Sequence, residues 1–205
     1  MERLEKIFDF LHLANNLKKT YRYGASTKDI HRDTSADHSW RLALMAFMLA
    51  DELKLDIDIL KAVKIALIHD LPEAINGDVD YRHIVWGKAT VEEKYKNELA
   101  AMEKFRDTLS SSVGEEIFNL WIEYEEEKTE ESRFINALDR MECSAHCLSE
   151  GNEKWDTPEF IPVYGRSKIA NFPPLKNFYG ILKNRLKEEF VKGGILWKEE
   201  YENDE

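Results

Sequence analysis

No apolar run in the sequence approaches the roughly 18 residues that a membrane-spanning helix requires, so a membrane is not an expected partner. The opening residues, MERLEKIFDF, are charged and amphipathic and lack the apolar stretch and cleavage site of a secretory leader. Cysteine is scarce. Cys143 and Cys147 stand four residues apart on one predicted helix, which argues against a disulfide framework and suits small buried residues in a reducing compartment. A cytoplasmic location is the expectation. Positive charge is in deficit, with 29 Lys and Arg against 40 Asp and Glu, a formal net charge of -11. That balance argues against a nucleic-acid duplex or an anionic membrane surface as partner. A small anion is still admissible, because a bound cation reverses the local field. Strand-type alternation and internal repeats are missing too.

What is present is helical periodicity in a chain whose 205 residues and 43% hydrophobic content suffice for one globular domain with a real core. Residues 2–18 carry Leu4, Ile7, Phe8, Leu11 and Ala14 at spacings of three and four. Residues 38–54 repeat the pattern with Leu42, Met45, Ala46, Leu49 and Leu53. Asp56 can cap a third helix with the stripe Leu60, Val63 and Leu67, ending near His69 because Pro72 interrupts it. Thr90 with Glu93, and Ser112 with Glu115, form capping-box signatures before two further helices, the first with Val91, Tyr95, Leu99, Met102 and Phe105 and the second with Ile117, Leu120, Trp121 and Tyr124. The cleanest stripe, Phe134, Leu138, Met141, Ala145 and Leu148, runs through 130–149. Loops are expected at 20–36, 76–89 and 151–173, and the closing KEEYENDE reads as a solvated tail. The fold class is all-α: a helical bundle with long functional loops.

Polar residues of one chemical kind interrupt these apolar faces. His38 stands at the start of a buried-type helix in ADHSWRLAL, His69 and Asp70 close another in ALIHDLPEAINGD, and Asp139 sits beside Leu138 in FINALDRMEC. Asp139 is thus about 100° round the helix from the apolar stripe, at an edge where a carboxylate needs a partner. Singly, each has a plain explanation: His38 as a helix-start residue, Asp139 as a salt-bridged surface acid, the His-Asp doublet as coincidence. Together, two imidazoles and two carboxylates make a donor set suited to Mn, Fe, Co, Ni or Zn, with Mg possible.

The segments DHSWRLALMA, ALIHDLPEAINGD and FINALDRME resemble the three signatures of the HD-domain phosphohydrolases, and within them the 5'-deoxynucleotidase branch. The resemblance runs from about residue 7 to 150 and includes the acidic stretch EEIFNLWIEYEEEKTEESRF. It implies an HD-domain core over 1–150, a bundle of helices around one divalent cation, with 151–205 as a C-terminal helical and loop extension packed on the same domain. Carried over by position, it implies His38, His69, Asp70 and Asp139 as metal ligands and Glu73 and Asp78 as catalytic carboxylates. In YRY it implies Arg22 as a phosphate contact and Tyr23 as a nucleoside contact. Among the remaining histidines only His83 lies between the doublet and Asp139, which favours a single metal; His12, His31, His83 and His146 read as structural or loop residues.

The activity so implied is metal-dependent hydrolysis of deoxynucleoside 5'-monophosphates to nucleoside and phosphate. Glu73 and Asp78 share the proton work in an order the sequence does not set, and Asn76-Gly77 supplies the turn between them. A hydrolase of nucleotide polyphosphates and a non-catalytic metal-binding protein stay open as alternatives. The aromatic and proline content of IPVYGRSKIANFPPLKNFY points to packing against the body or a second subunit, and a homodimer is the expected assembly.

Overall fold

The computed structural model describes residues 1–22 and 32–203. Among them every regular element is helical, and the single β-type contact is an isolated antiparallel bridge between Tyr21 and Thr34. The helices are α1 (Glu2–Ala14), α2 (Ser35–Glu52), α3 (Ile59–Ile68), α4 (Glu73–Asn76), α5 (Tyr81–Val85), α6 (Val91–Leu109), α7 (Ser112–Glu126), α8 (Glu130–Glu150), α9 (Arg166–Ala170) and α10 (Lys176–Lys192), with short 3-10 turns between some of them. The all-α architecture expected from periodicity is the one observed. The loop expected over 76–89 encloses α5, and α10 follows the expected loop at 151–173.

Capping chemistry sets where the site-bearing helices begin. Thr34 and Asp37 form a reciprocal box, each side chain taking the other's backbone N–H, so α2 starts at Ser35 and places His38 in its first turn. Thr129 and Ser132 do the same for α8, and Thr90 and Glu93 for α6, the last as the sequence indicates. Two expected caps are corrected. Asp58, not Asp56, accepts from the Lys61 amide to open α3. Ser111, one residue earlier than expected, occupies the N-cap of α7 and makes no side-chain cap.

α8 is the axis of the molecule. It touches α2, α3, α7, α9 and α10, and from Phe134 to Glu142 every residue except Arg140 is buried. A helix packed on several sides has no solvent face to offer a polar residue. One core cluster joins Leu42, Ile65, Phe134, Leu138, Leu175 and Phe190 around it; a second, of Phe10, Leu71, Met102, Phe105 and Trp121, fills the space among α1, α4, α6 and α7. Peripheral helices bury less of their stripes than expected. α1 buries Phe10 and leaves Leu4, Ile7, Phe8 and Leu11 exposed, because it packs chiefly on α6, α4 and the turn that follows it. In α3 the small Ala62 and Ala66 face inward with Ile65, whereas Leu60 and Leu67 face solvent.

Within KEEYENDE, expected as a solvated tail, Lys198, Glu199, Glu200, Glu202 and Asn203 are exposed but Tyr201 is docked. Tyr201 is only 2% exposed, packed edge-on against Phe190 and Trp197, and Glu202 accepts from Trp197 Nε1 and pairs with Lys187. Trp155 completes this aromatic cluster against Phe190, which anchors α10 over α8. Tyr201→Ala is therefore expected to cost about 3 kcal/mol or more of unfolding free energy, the scale for emptying a buried aromatic site. Urea denaturation measures this, and an unchanged midpoint would restore the free-tail reading.

Candidate metal centre

Three helices deliver donor atoms to one point. His38 comes from the first turn of α2, His69 and Asp70 from the end of α3, and Asp139 from the middle of α8. His38 has no exposed surface and Asp139 is 3% exposed, so neither is the surface residue that its isolated sequence context suggests. His38 Nε2 lies 3.3 Å from His69 Nε2, 3.1 Å from Asp139 Oδ1 and 3.8 Å from Asp70 Oδ2, while His69 Nε2 lies 3.2 Å from Asp70 Oδ1. Neighbouring donors each about 2.1 Å from one ion stand about 3 Å apart, so this spacing fits a divalent cation. His38, His69 and Asp139 alone already form a buried group able to hold one.

Ring orientation agrees with that fit. The Nδ1–H of His69 donates to the carbonyl of Ala66 at 2.9 Å, and the Nδ1–H of His38 donates to Glu142. Each contact leaves Nε2 to face the centre. Glu142 is itself fully enclosed and held by Arg41, whose Nε donates to Oε1 at 2.5 Å. Asp139 presents Oδ1 to the centre because Oδ2 is occupied by the Tyr124 hydroxyl at 2.8 Å and the Arg140 guanidinium at 3.3 Å.

Electrostatics show what the arrangement demands. Burial and Arg22 lower the basicity of His38, but Glu142 and Asp139 outweigh them and push its pKa up to about 10. Burial instead dominates at His69 and pushes it down. Burial opposes ionisation of Asp139, yet Arg140 and His38 hold it well below the usual carboxylate range. A proton on His38 thus supplies positive charge among the carboxylates in the metal-free protein, and a divalent cation at the same place would take over that role.

The two further carboxylates lie beside the donor set. Glu73 is buried in the first turn of α4, hydrogen-bonded by the Ser35 hydroxyl, with its pKa well above normal through burial and the charges of Asp70 and Asp78. Gly77, with φ of 75° and its N–H on the Glu73 carbonyl, turns the chain as Asn76-Gly77 predicts and brings Asp78 to the wall of a cleft shared with Arg22. Arg22 is nearly buried; its Nη1 donates to Asp70 Oδ2 at 2.6 Å and its Nη2 to Cys143 Sγ at 3.3 Å. Tyr23 and His31 lie outside the described residues. His12 and His83 are exposed, and His146 lies 3.9 Å from Asp33 and lines the cleft with Arg22.

Five participants escape the motif reading: Ser35, Arg41, Tyr124, Arg140 and Glu142. Three carried a helical signal. Ser35 and Arg41 lie three residues either side of His38, and Glu142 lies three after Asp139, so each shares a face with a donor. Tyr124 comes from a different helix, and no spacing rule reaches it.

Comparison with known proteins follows the same lines. A family model described as HD domain matches residues 14–173. The Xenopus laevis protein named 5'-deoxynucleotidase HDDC2 is 34% identical over 145 residues, covering 70% of this chain and 69% of that protein. The Dictyostelium discoideum protein of the same name is 36% identical over 146 residues, 68% and 74% of the two chains. A solved structure described as a predicted metal-dependent phosphohydrolase from Magnetospirillum magnetotacticum MS-1 has a TM-score of 0.73 at 26% identity, covering 96% of this chain and all of that one.

The hydrogen bond from His38 to Glu142 generates a prediction. Glu142→Gln removes the anion that orients and polarises the ring, and metal affinity is expected to fall about 10- to 100-fold. Competition with a chelator of known affinity measures it; wild-type affinity in the variant would leave Glu142 as packing only.

Proposed function

The chain belongs to the HD-domain family, and on that premise we propose that it is a metal-dependent phosphomonoesterase that hydrolyses 2'-deoxynucleoside 5'-monophosphates to nucleoside and phosphate. The observation that carries this reading is the convergence of two imidazoles and two ligand-type carboxylates at one buried centre, with Arg22 joining its Asp70 to a cleft that Asp78 also lines. The names of the Xenopus and Dictyostelium relatives support the substrate class.

In this reading His38, His69, Asp70 and Asp139 hold one divalent cation, chosen from Mn, Co, Fe, Ni, Zn or Mg. When bound, that ion supplies Lewis acidity toward a phosphoryl oxygen and lowers the pKa of water. The chain's own groups do the rest. Arg22 offers a planar fork of N–H donors; contacts to Asp70 and Cys143 fix its plane and leave further donors for phosphate oxygens. Burial and the charges of Asp70 and Asp78 raise the proton affinity of the Glu73 carboxylate. Ser35 donates to it and fixes its orientation, so that in its ionised form Glu73 takes the proton of the attacking water. Asp78, across the cleft wall, serves the leaving 5'-oxygen. Tyr23, outside the described residues, is a proposed nucleoside contact.

Two cysteines outside any disulfide support a cytoplasmic location, and no helix of the described residues is long and apolar enough to cross a membrane. Trp40, Leu44, Phe47 and Met48 stand exposed at helical spacing along α2, which supports assembly as a homodimer through that face. Light scattering should then show a dimer for the wild type and a monomer for Phe47→Asp; a monomeric wild type removes the dimer.

The activity has a direct test. A phosphate-release assay over mono-, di- and triphosphates should show turnover of deoxynucleoside monophosphates, slower turnover of ribonucleotides and little of triphosphates. Glu73→Gln should keep its metal and lose about 10²–10⁴-fold in kcat, the usual contribution of a general base. Release of pyrophosphate or triphosphate without monophosphate hydrolysis would replace this reading with the polyphosphate one, and near wild-type kcat in the variant would remove Glu73 from the chemistry.

A further inference from the structure

The segment that joins α8 to α9 closes one side of the cleft that Arg22 and Asp78 share. The cleft measures about 830 Å³ counted to its open mouth, and its lining divides by chemistry. Arg22 and Asp78 adjoin the metal centre, whereas Phe160, Ile161 and Tyr164 present an apolar, largely aromatic surface.

This wall is fixed from two directions. Arg82, itself chelated by the buried Asp80, donates through Nη1 to Asp156 Oδ1 and to Thr157 Oγ1, both at 3.0 Å, which ties the segment to residues just beyond Asp78. Tyr81 packs edge-on against Tyr164 with ring centres 5.0 Å apart. On the other side Arg140 donates to the Tyr164 hydroxyl, and Gly165, at φ of 68°, lies so close to α8 that a Cβ there would fall 2.3 Å from Arg140 Cγ. The wall is thus anchored on one side near the proposed acid Asp78 and on the other to the arginine that steadies Asp139.

We propose that residues 156–164 form the wall that receives the nucleobase, with Phe160 as the ring against which the base packs. This rests on the monophosphate reading above. If Arg22 and the metal centre take the phosphate, the remaining large group of a nucleotide is a flat, uncharged, aromatic one, and the apolar lining that continues from them is the surface that suits it. Phe160 is half-buried, carries no polar atom to satisfy, and is held edge-on by Trp86 at 6.3 Å. Stacking of this kind accepts any base, since every base offers a π-face, so base preference is weak.

The test compares each nucleotide with deoxyribose 5-phosphate, which keeps the phosphate and sugar and lacks the base. The ratio of kcat/KM for deoxyadenosine monophosphate to that for deoxyribose 5-phosphate should fall about tenfold in Phe160→Ala and persist in Phe160→Tyr, the loss expected from one stacked base. Phe160→Leu replaces the alanine variant if that one does not fold, because it keeps apolar bulk and loses the ring. Saturation-transfer NMR with 2'-deoxyadenosine reads the wall whatever phosphate ester the protein hydrolyses. The signal should be present for wild type and Phe160→Tyr and lost in Phe160→Ala or Phe160→Leu. A wild-type ratio together with undiminished nucleoside binding in the ring-less variants overturns the wall. Absent monophosphate hydrolysis with Phe160-dependent nucleoside binding overturns only the activity on which it was built.

Discussion

Two imidazoles and two carboxylates with donor atoms 3.1–3.8 Å apart under the surface of a helical bundle cannot stay together without positive charge among them. Each carboxylate removed from water loses solvation that its neighbours must replace. The surrounding structure answers that demand. Arg140 and Tyr124 attend Asp139, Arg22 attends Asp70, and Arg41 attends the Glu142 that orients His38. The remaining deficit falls at the centre, where a proton on His38 or a divalent cation satisfies it. Function and folding therefore share one electrostatic problem, and the cation that assists chemistry also stabilises the fold that binds it.

The same demand explains why the centre is built on helices and Arg22 is not. His38 and Asp139 stand within capped helices whose registers are fixed by Thr34 and Thr129, so their positions follow from rigid elements. Arg22 lies beyond the 3-10 turn after α1, on chain held by a hydrogen bond from its backbone N–H to the Asp33 carbonyl and by the neighbouring Tyr21–Thr34 bridge. Its guanidinium gains its place from the site itself, through Asp70 and Cys143. The donor set and Arg22 are thereby linked through Asp70, which faces both.

How much of this was legible in the sequence depends on how local the signal is. The helical periods, the Thr90–Glu93 box and the Asn76-Gly77 turn were readable because each is decided within one or two turns of chain. The order His38, His69-Asp70, Asp139 was readable because donor residues on apolar faces are costly without a ligand. Exposure was not. Asp139 reads as a stripe-edge acid by its own helix, and it is buried because α8 is enclosed by five neighbours, a property of the packing and not of its sequence. The same reasoning fails in the opposite direction for α1, whose apolar stripe stays exposed at the edge of the bundle. Tyr201 was misread for a related reason: acidic neighbours mark the segment as solvated, yet one aromatic side chain with a pocket between Phe190 and Trp197 outweighs them.

A chain with a net charge of -11 that acts on an anion must confine its positive field to the place where it is used. Arg22, Arg41 and Arg140 are each matched to one acid of the site, so little of their charge reaches the surface. A compact dianion brought to the cleft meets a cation and one arginine fork at close range, where low dielectric makes them strong. Each further phosphate on a longer chain would meet Asp33 and Asp78, which line the same cleft, whereas the Arg82 charge beside them is already paired to Asp80. In the proposed reading these acids set repulsion against a second and third phosphate. A preference for monophosphates would then follow from where the acids stand, without any dedicated contact that measures chain length.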